Sequence, residues 1–240
     1  MPSLLTLPVH DVLPGTPRSR IVRLSLEGRA FPFEAGQAVM AGAHGSRARK
    51  PYSIACGPET VEAQGWIELL MQVERDDSVG AHLPRLRVGE RVDVEGPLGT
   101  FTCPGRPAEH RFLFVAGGTG IAPLRAMIQH VMALGRKDEI AVLYSARTPD
   151  EFAFHDELVA EAEAGRLRVS FTVTRDDPTA WRGGRGRIGR AHLEDLVTSP
   201  ETLCFLCGPP ALVNEVAPLL GELGIAPARI RAEQWTAAGA

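Results

Sequence analysis

The sequence predicts two domains in tandem. A six-stranded antiparallel β-barrel with one short helix comes first, followed by a Rossmann-like α/β domain on a doubly wound, parallel, five-stranded sheet. Three observations lead there. Over the first hundred or so residues, short apolar or alternating runs are broken repeatedly by Gly and Pro. After Gly105 the rhythm changes to continuous apolar runs that alternate with segments of helical spacing. The first of those runs ends in a glycine-rich turn, Gly117-Gly118-Thr119-Gly120-Ile121-Ala122-Pro123. The boundary is expected near 100–110, giving domains of 1–105 and 106–240.

Each element has its own signal. Candidate barrel strands lie near 4–13, 20–27, 37–43, 50–55, 66–74 and 91–95, separated by turn residues. Between the fifth and sixth, Ser78 is a candidate cap for a short helix that Pro84 keeps short or irregular. Arg111-Phe112-Leu113-Phe114-Val115-Ala116 is apolar without alternation, as a parallel strand covered on both faces should be. The next segment carries Ile121, Leu124, Met127, Ile128, Val131 and Leu134 at helical spacing. Strands near 139–145, 167–174, 202–207 and 229–235 then alternate with helices near 150–164, 190–197 and 210–223.

Composition narrows the function. The 240 residues are 44% hydrophobic and 23% charged with a net charge of −3, which describes a globular protein without a nucleic-acid surface. No apolar run approaches the roughly 20 residues a membrane span needs. The N-terminus has neither the basic start nor the apolar core of a secretory signal, so a cytoplasmic, monomeric protein is expected. Cys204 and Cys207 form a C-x-x-C, but side chains three apart on a strand point to opposite faces and share no ion readily. No metal site and no iron–sulfur cysteine pattern is expected.

Three short motifs carry chemistry: Lys50-Pro51-Tyr52-Ser53, the glycine-rich turn, and Cys207-Gly208-Pro209-Pro210 roughly ninety residues after it. Glycines let phosphate approach the backbone at a strand-to-helix turn, and a helix N-terminus favours negative charge. Pro123 fits the first helical turn, where no donor is lost. Together and in this order, from about Leu13 to Trp235, the motifs resemble those of the ferredoxin–NADP reductase superfamily of flavin-dependent reductases.

That resemblance implies FAD in the barrel, NADP(H) in the α/β domain, and the reaction in a cleft between them. Tyr52 would pack on the flavin ring and Ser53 would approach N5, the atom that accepts hydride. Lys50 stands where the family has Arg, keeping the charge but losing the bidentate fork, with Arg47 and Arg49 close by. Gly80 stands where the family has Ser or Thr, so Gly80, Ala81 and His82 would hold the pyrophosphate through their backbone. Gly117, Gly118, Thr119, Gly120, Cys207, Gly208 and Pro209 would line the nicotinamide site, with Cys207 orienting the ring. Glu233 joins that cluster, and Trp235 would cover the outer flavin face.

Arg147, Arg175 and Arg187 match basic positions of NADP-binding relatives, and guanidinium groups there suit a 2′-phosphate. NADP(H) is therefore expected, with NAD(H) as the alternative. The acceptor would be a separate redox protein: a ferredoxin, a flavodoxin or an oxygenase component. A free-flavin or ferric reductase with a diffusible acceptor, and a flavin-bearing electron-transfer or sensing subunit, are the other readings.

Overall fold

The computed structural model describes residues 3–73, 85–175 and 181–235. It divides into two compact units, Met1–Gly105 with Arg125–Ala133, and Arg106–Leu124 with Leu134–Ala240. Among the described residues, no helix is long and apolar enough to cross a membrane.

The first unit contains β1 (Ser3–Thr16), β2 (Ser19–Ser25), β3 (Ala38–Ala43), β4 (Lys50–Ser53), α1 (Pro58–Gln64), β5 (Trp66–Gln72) and β6 (Arg91–Leu98). The strands form one antiparallel sheet in the order β4-β3-β6-β1-β2-β5. An antiparallel bridge between Ile54 and Leu69 joins its two ends and closes the barrel. Inside lie Leu7, Val22, Leu24, Val39, Ile54, Leu69, Met71, Val92 and Val94, all at 0% exposure, so alternation along each strand fills one core. Pro51 is tolerated because β4 ends the sheet order and pairs along its length only with β3.

Helix α1 was not expected, although its punctuation is local. Pro58 opens it, and Gly65 closes it in the left-handed region (φ 76°), donating its N–H to the Val61 carbonyl. Seven residues with one buried apolar side chain, Val61, carry no readable period. The helix expected to start at Ser78 lies outside the described residues.

The second unit is a sheet of six parallel strands, not five, in the order β10-β9-β8-β7-β11-β12. They are β7 (Arg111–Gly117), β8 (Glu139–Ala146), β9 (Arg168–Val173), β10 (Gly184–Arg185), β11 (Leu203–Gly208) and β12 (Ile230–Gln234). The extra strand, β10, is a two-residue edge in a Gly- and Arg-rich loop, too short for any hydrophobic pattern. Helices α2 (Ile121–Ala133), α3 (His155–Glu163), α4 (Arg190–Glu194) and α5 (Pro210–Glu222) connect the strands, with α2 counted in the first unit from Arg125 onward. The expected 150–164 helix is split: a 3₁₀ turn at Pro149–Glu151 precedes α3, with Phe154 at φ 58° between them. Phe152 is buried edge-on against Tyr144, centroids 4.9 Å apart, and this tertiary contact overrides helical continuity there.

Inside the barrel unit, Asp93 on β6 fastens three segments. Thr6 Oγ1 on β1 donates to Asp93 Oδ1 (2.7 Å), the Gly45 N–H donates to Oδ2 (3.0 Å), and His44 Nδ1 lies 2.9 Å from Oδ1. Burial alone would push this carboxyl up, but the hydrogen bonds from His44, Thr6 and Gly45 outweigh it and hold it below the usual carboxylate range. A group held lower in the folded than in the unfolded chain stabilises fully above its unfolded pKa. That contribution is lost as pH falls through the folded value. Asp93→Asn is expected to cost about 2 kcal/mol at neutral pH and progressively less in acid. Denaturant melts across that pH range measure both quantities.

Candidate active site

Two turns of the second unit are built around each other. β7 and β11 are neighbours in register, Cys207 opposite Ala116, so the chain leaves both strands at the same level. A Cβ on Gly120 would sit 2.2 Å from the Cys207 carbonyl oxygen. One on Gly117 would meet Leu212 Cδ1 at 2.8 Å and Pro209 Cδ at 2.9 Å, and one on Gly208 would meet Gly117 Cα at 3.2 Å. These glycines are therefore dictated by turn-against-turn packing as well as by any phosphate. Gly118 differs: it takes φ 55°, and the only heavy atom within 4 Å of its would-be Cβ is Trp235 Cζ2, at that limit. A 3₁₀ turn over Gly118–Gly120 runs directly into α2, and the Ile121 N–H at the junction donates back to the Gly118 and Thr119 carbonyls.

Tyr144 holds this turn from below and was missed by the sequence reading. Fully buried on β8, its hydroxyl donates to the Gly118 carbonyl (2.9 Å) and accepts from the Ala153 N–H (3.2 Å). Burial raises its phenol far above the usual range, so it stays a donor. The available signal was a single tyrosine at the end of the apolar run Ile140–Leu143.

On the other side of β11 stands β12. Cys207 and Glu233 are register partners, and the Trp235 N–H continues the ladder to the Gly208 carbonyl (3.2 Å). Cys207 is 2% exposed, and burial first, then the Glu233 charge, drives its thiol well above the usual range. Burial likewise raises Glu233. The sulfur is thus a neutral thiol, suited to contact and orientation rather than nucleophilic attack. The Trp235 indole N–H is buried and has no hydrogen-bond partner among the described residues.

The three arginines follow the ends of adjacent strands. Arg147 comes just after β8, Arg175 just after β9 and Arg187 just after β10, so the unpredicted strand is what places the third. The Arg175 N–H donates to the Arg147 carbonyl (2.7 Å), fixing the first two backbones side by side, and both residues are exposed. Arg187 is engaged instead with Glu215 on α5, Nη1 to Oε1 at 2.8 Å.

In the first unit, Lys50, Pro51, Tyr52 and Ser53 form β4, opposite Ala41, Met40, Val39 and Ala38 of β3. Tyr52 is half-buried against the barrel core. Arg49 reaches Glu95 through Nη1 (3.3 Å) while its Nε is buried without a partner. Gly80, Ala81 and His82 lie outside the described residues.

These residues suit the two cofactors. An aromatic ring seated on the barrel with cationic side chains around it fits a flavin and its phosphates. A glycine turn opening a helix beside a buried thiol, a half-buried carboxyl and an unpartnered indole N–H fits a nicotinamide nucleotide. Fold and site together define an NAD(P)H-dependent flavoprotein reductase. Residues 15–103 match the oxidoreductase FAD-binding domain and residues 114–217 the oxidoreductase NAD-binding domain. The chain is 34% identical to ferredoxin–NADP reductase B of Sorangium cellulosum, over 91% of this chain and 93% of that one. It is 30% identical to an NADH-cytochrome b5 reductase-like protein of Arabidopsis thaliana over 70% of this chain, but spans only 51% of that protein. Among solved structures, the Amycolatopsis cytochrome P450 reductase GcoB superposes with a TM-score of 0.84 at 26% identity, over all of this chain and 72% of that one. The chain belongs to the ferredoxin–NADP reductase superfamily, with FAD and NAD(P)H as its cofactors.

Two substitutions test the turn geometry. Gly120→Ala drives a methyl into the Cys207 carbonyl and should destabilise by about 1–3 kcal/mol, the usual cost of overpacking. Tyr144→Phe removes one donor to the Gly118 carbonyl and the acceptor of the buried Ala153 N–H, and should cost about 1–3 kcal/mol. Thermal melts with and without nucleotide report both, and each variant should lose nucleotide-induced stabilisation.

Proposed function

We propose that the enzyme takes electrons from NADPH through FAD and passes them to a separate protein: a ferredoxin, a flavodoxin or an oxygenase component. The interlocked turns at Gly117–Gly120 and Cys207–Gly208 carry this reading, because they set a neutral thiol and Glu233 beside a helix N-terminus. Similarity to a ferredoxin–NADP reductase over nearly the full length of both chains supports a protein acceptor, as does likeness to a cytochrome P450 reductase.

When bound, the two cofactors supply hydride transfer and electron storage. The residues of this chain bind and orient. Tyr52 would offer its ring as a platform and Ser53 its hydroxyl to N5, with Lys50, and Arg49 on releasing Glu95, holding phosphate. Gly80, Ala81 and His82 are assigned to the pyrophosphate. Gly118 and the start of α2 receive the nucleotide phosphate, and Cys207, Gly208 and Pro209 set the ring plane. Glu233 would stand beside the sulfur, its carboxyl raised by burial. Arg147 and Arg175 face the 2′-phosphate. Arg187 joins them only on giving up Glu215, an exposed pair worth at most about 1 kcal/mol.

Anaerobic mixing with each nucleotide tests the reading directly. A yellow protein whose flavin bleaches within seconds with NADPH is expected, and one that neither nucleotide reduces would be a carrier or sensor. Cys207→Ala should slow that bleaching while leaving the flavin spectrum unchanged. A variant that only melts earlier would return Cys207 to the core. Replacing Arg147 and Arg175 together by Ala should lower kcat/KM for NADPH by at least about a hundredfold and barely affect NADH. Loss of both nucleotides in parallel would instead indicate general damage.

A further inference from the structure

The four residues after Ser53 leave the sheet yet stay buried. Ile54 and Ala55 are at 0% exposure and Cys56 at 2%, and the only β pairing here is the single Ile54–Leu69 bridge. Buried backbone groups outside a ladder must find other partners. The Ala55 N–H donates to the Glu68 carbonyl (2.7 Å), and the Glu68 N–H donates to Cys56 Sγ (3.2 Å). Arg125 Nη1 donates both to the Ala55 carbonyl and to Glu68 Oε1, the latter at 2.8 Å. The Gly57 N–H donates to Gln129 Oε1 (2.8 Å). Glu68 and Arg125 are only 3% and 8% exposed, and the far carboxylate oxygen takes Arg23 Nε at 2.8 Å.

Buried charge of this kind does not stabilise a fold better than well-packed apolar side chains, so its use calls for another reason. The fastened segment begins immediately after Ser53, on the strand that carries Tyr52. Burial pushes the Cys56 thiol up to about 12, so the sulfur that accepts from the Glu68 N–H is a neutral thiol.

We propose that Glu68 and Arg125 are positioning residues for the flavin: by anchoring Ala55 and Cys56 they fix the level at which Tyr52 and Ser53 are presented. The inference rests on the assignment of Tyr52 and Ser53 to the flavin. Arg23 supplies an internal comparison, because it reaches the same carboxylate from β2, on the side of Asp11 and Trp66.

The test uses the full chain stripped of FAD. FAD is titrated by fluorescence quenching, the bound flavin is read by visible circular dichroism, and the apoprotein is melted. Arg125→Lys keeps the charge but shortens the reach to Ala55, while Glu68→Gln combined with Arg125→Gln removes both charges and leaves a shorter polar side chain in place of the guanidinium. Each should raise the Kd for FAD at least about tenfold, the equivalent of one buried hydrogen bond. Each should also shift the flavin dichroism, whereas Arg23→Lys should leave both readouts within about twofold of the parent. A Kd and dichroism unchanged in the Arg125→Lys and double variants, or lost equally in Arg23→Lys, would overturn the proposal. Failure of both apoproteins to fold would also overturn it, since the pair would then serve folding alone. A parent chain that binds no FAD would overturn the flavin assignment itself, a different result from a parent that binds FAD as tightly as its variants.

Discussion

Two backbone turns can touch only where no side chain intervenes, and the second unit is organised around one such contact. Gly120 lies so close to the Cys207 carbonyl that even a methyl is excluded, Gly117 is crowded by the Leu212 and Pro209 side chains, and a Cβ on Gly208 would press on the Gly117 backbone at 3.2 Å. The contact requires β7 and β11 to be neighbours and to end at the same level, which the register of Cys207 opposite Ala116 provides. The rest follows from it. The start of α2 is brought beside the end of β11, and β12 then lays Glu233 against Cys207 and continues to Trp235 through the Gly208 carbonyl. The apolar interior that supports these strands includes Phe114 stacked on Phe205, centroids 5.4 Å apart.

The barrel unit meets a different demand. Its strands satisfy one another, while segments between them take side-chain partners for their polar groups. Three carboxylates answer. Asp93 holds the hairpin that leads into β4, Glu68 holds the segment that leaves it, and Glu59 on α1 lies 2.7 Å from His130 Nδ1. The strand assigned to the flavin is thus flanked by two carboxylates, Asp93 and Glu68, each with both oxygens hydrogen-bonded, the condition under which buried polar networks give a single geometry.

What could be read in advance depended on whether the signal was local. The continuous apolar runs of β7 and β11, the helical spacing from Ile121 to Val131, and the turns that punctuate the barrel are set by immediate neighbours. They appear where the sequence places them. Helix α1 and strand β10 were missed because each is too short to show a period, and the break at Phe152–Phe154 comes from a contact with Tyr144. The same distinction holds in the site. Glycine turns, the Lys50–Ser53 strand and the terminal Glu233 and Trp235 are legible as motifs, whereas Tyr144, Glu68 and Arg125 look like stray polar residues in apolar segments until their partners come into view.

By itself, then, the sequence determined the two kinds of domain, the order of their elements and the residue types able to meet a flavin and a nicotinamide nucleotide. Periodicity and turn chemistry are properties of adjacent residues. Only the tertiary structure decided that Gly120 is required by a carbonyl 87 residues away in the chain. It also decided that the Cys207 thiol is held neutral, that Arg147, Arg175 and Arg187 follow three adjacent strands, and that Glu68 and Arg125 meet inside the barrel unit. Those outcomes depend on burial and on distances between residues remote in sequence, and neither quantity exists until the chain has folded.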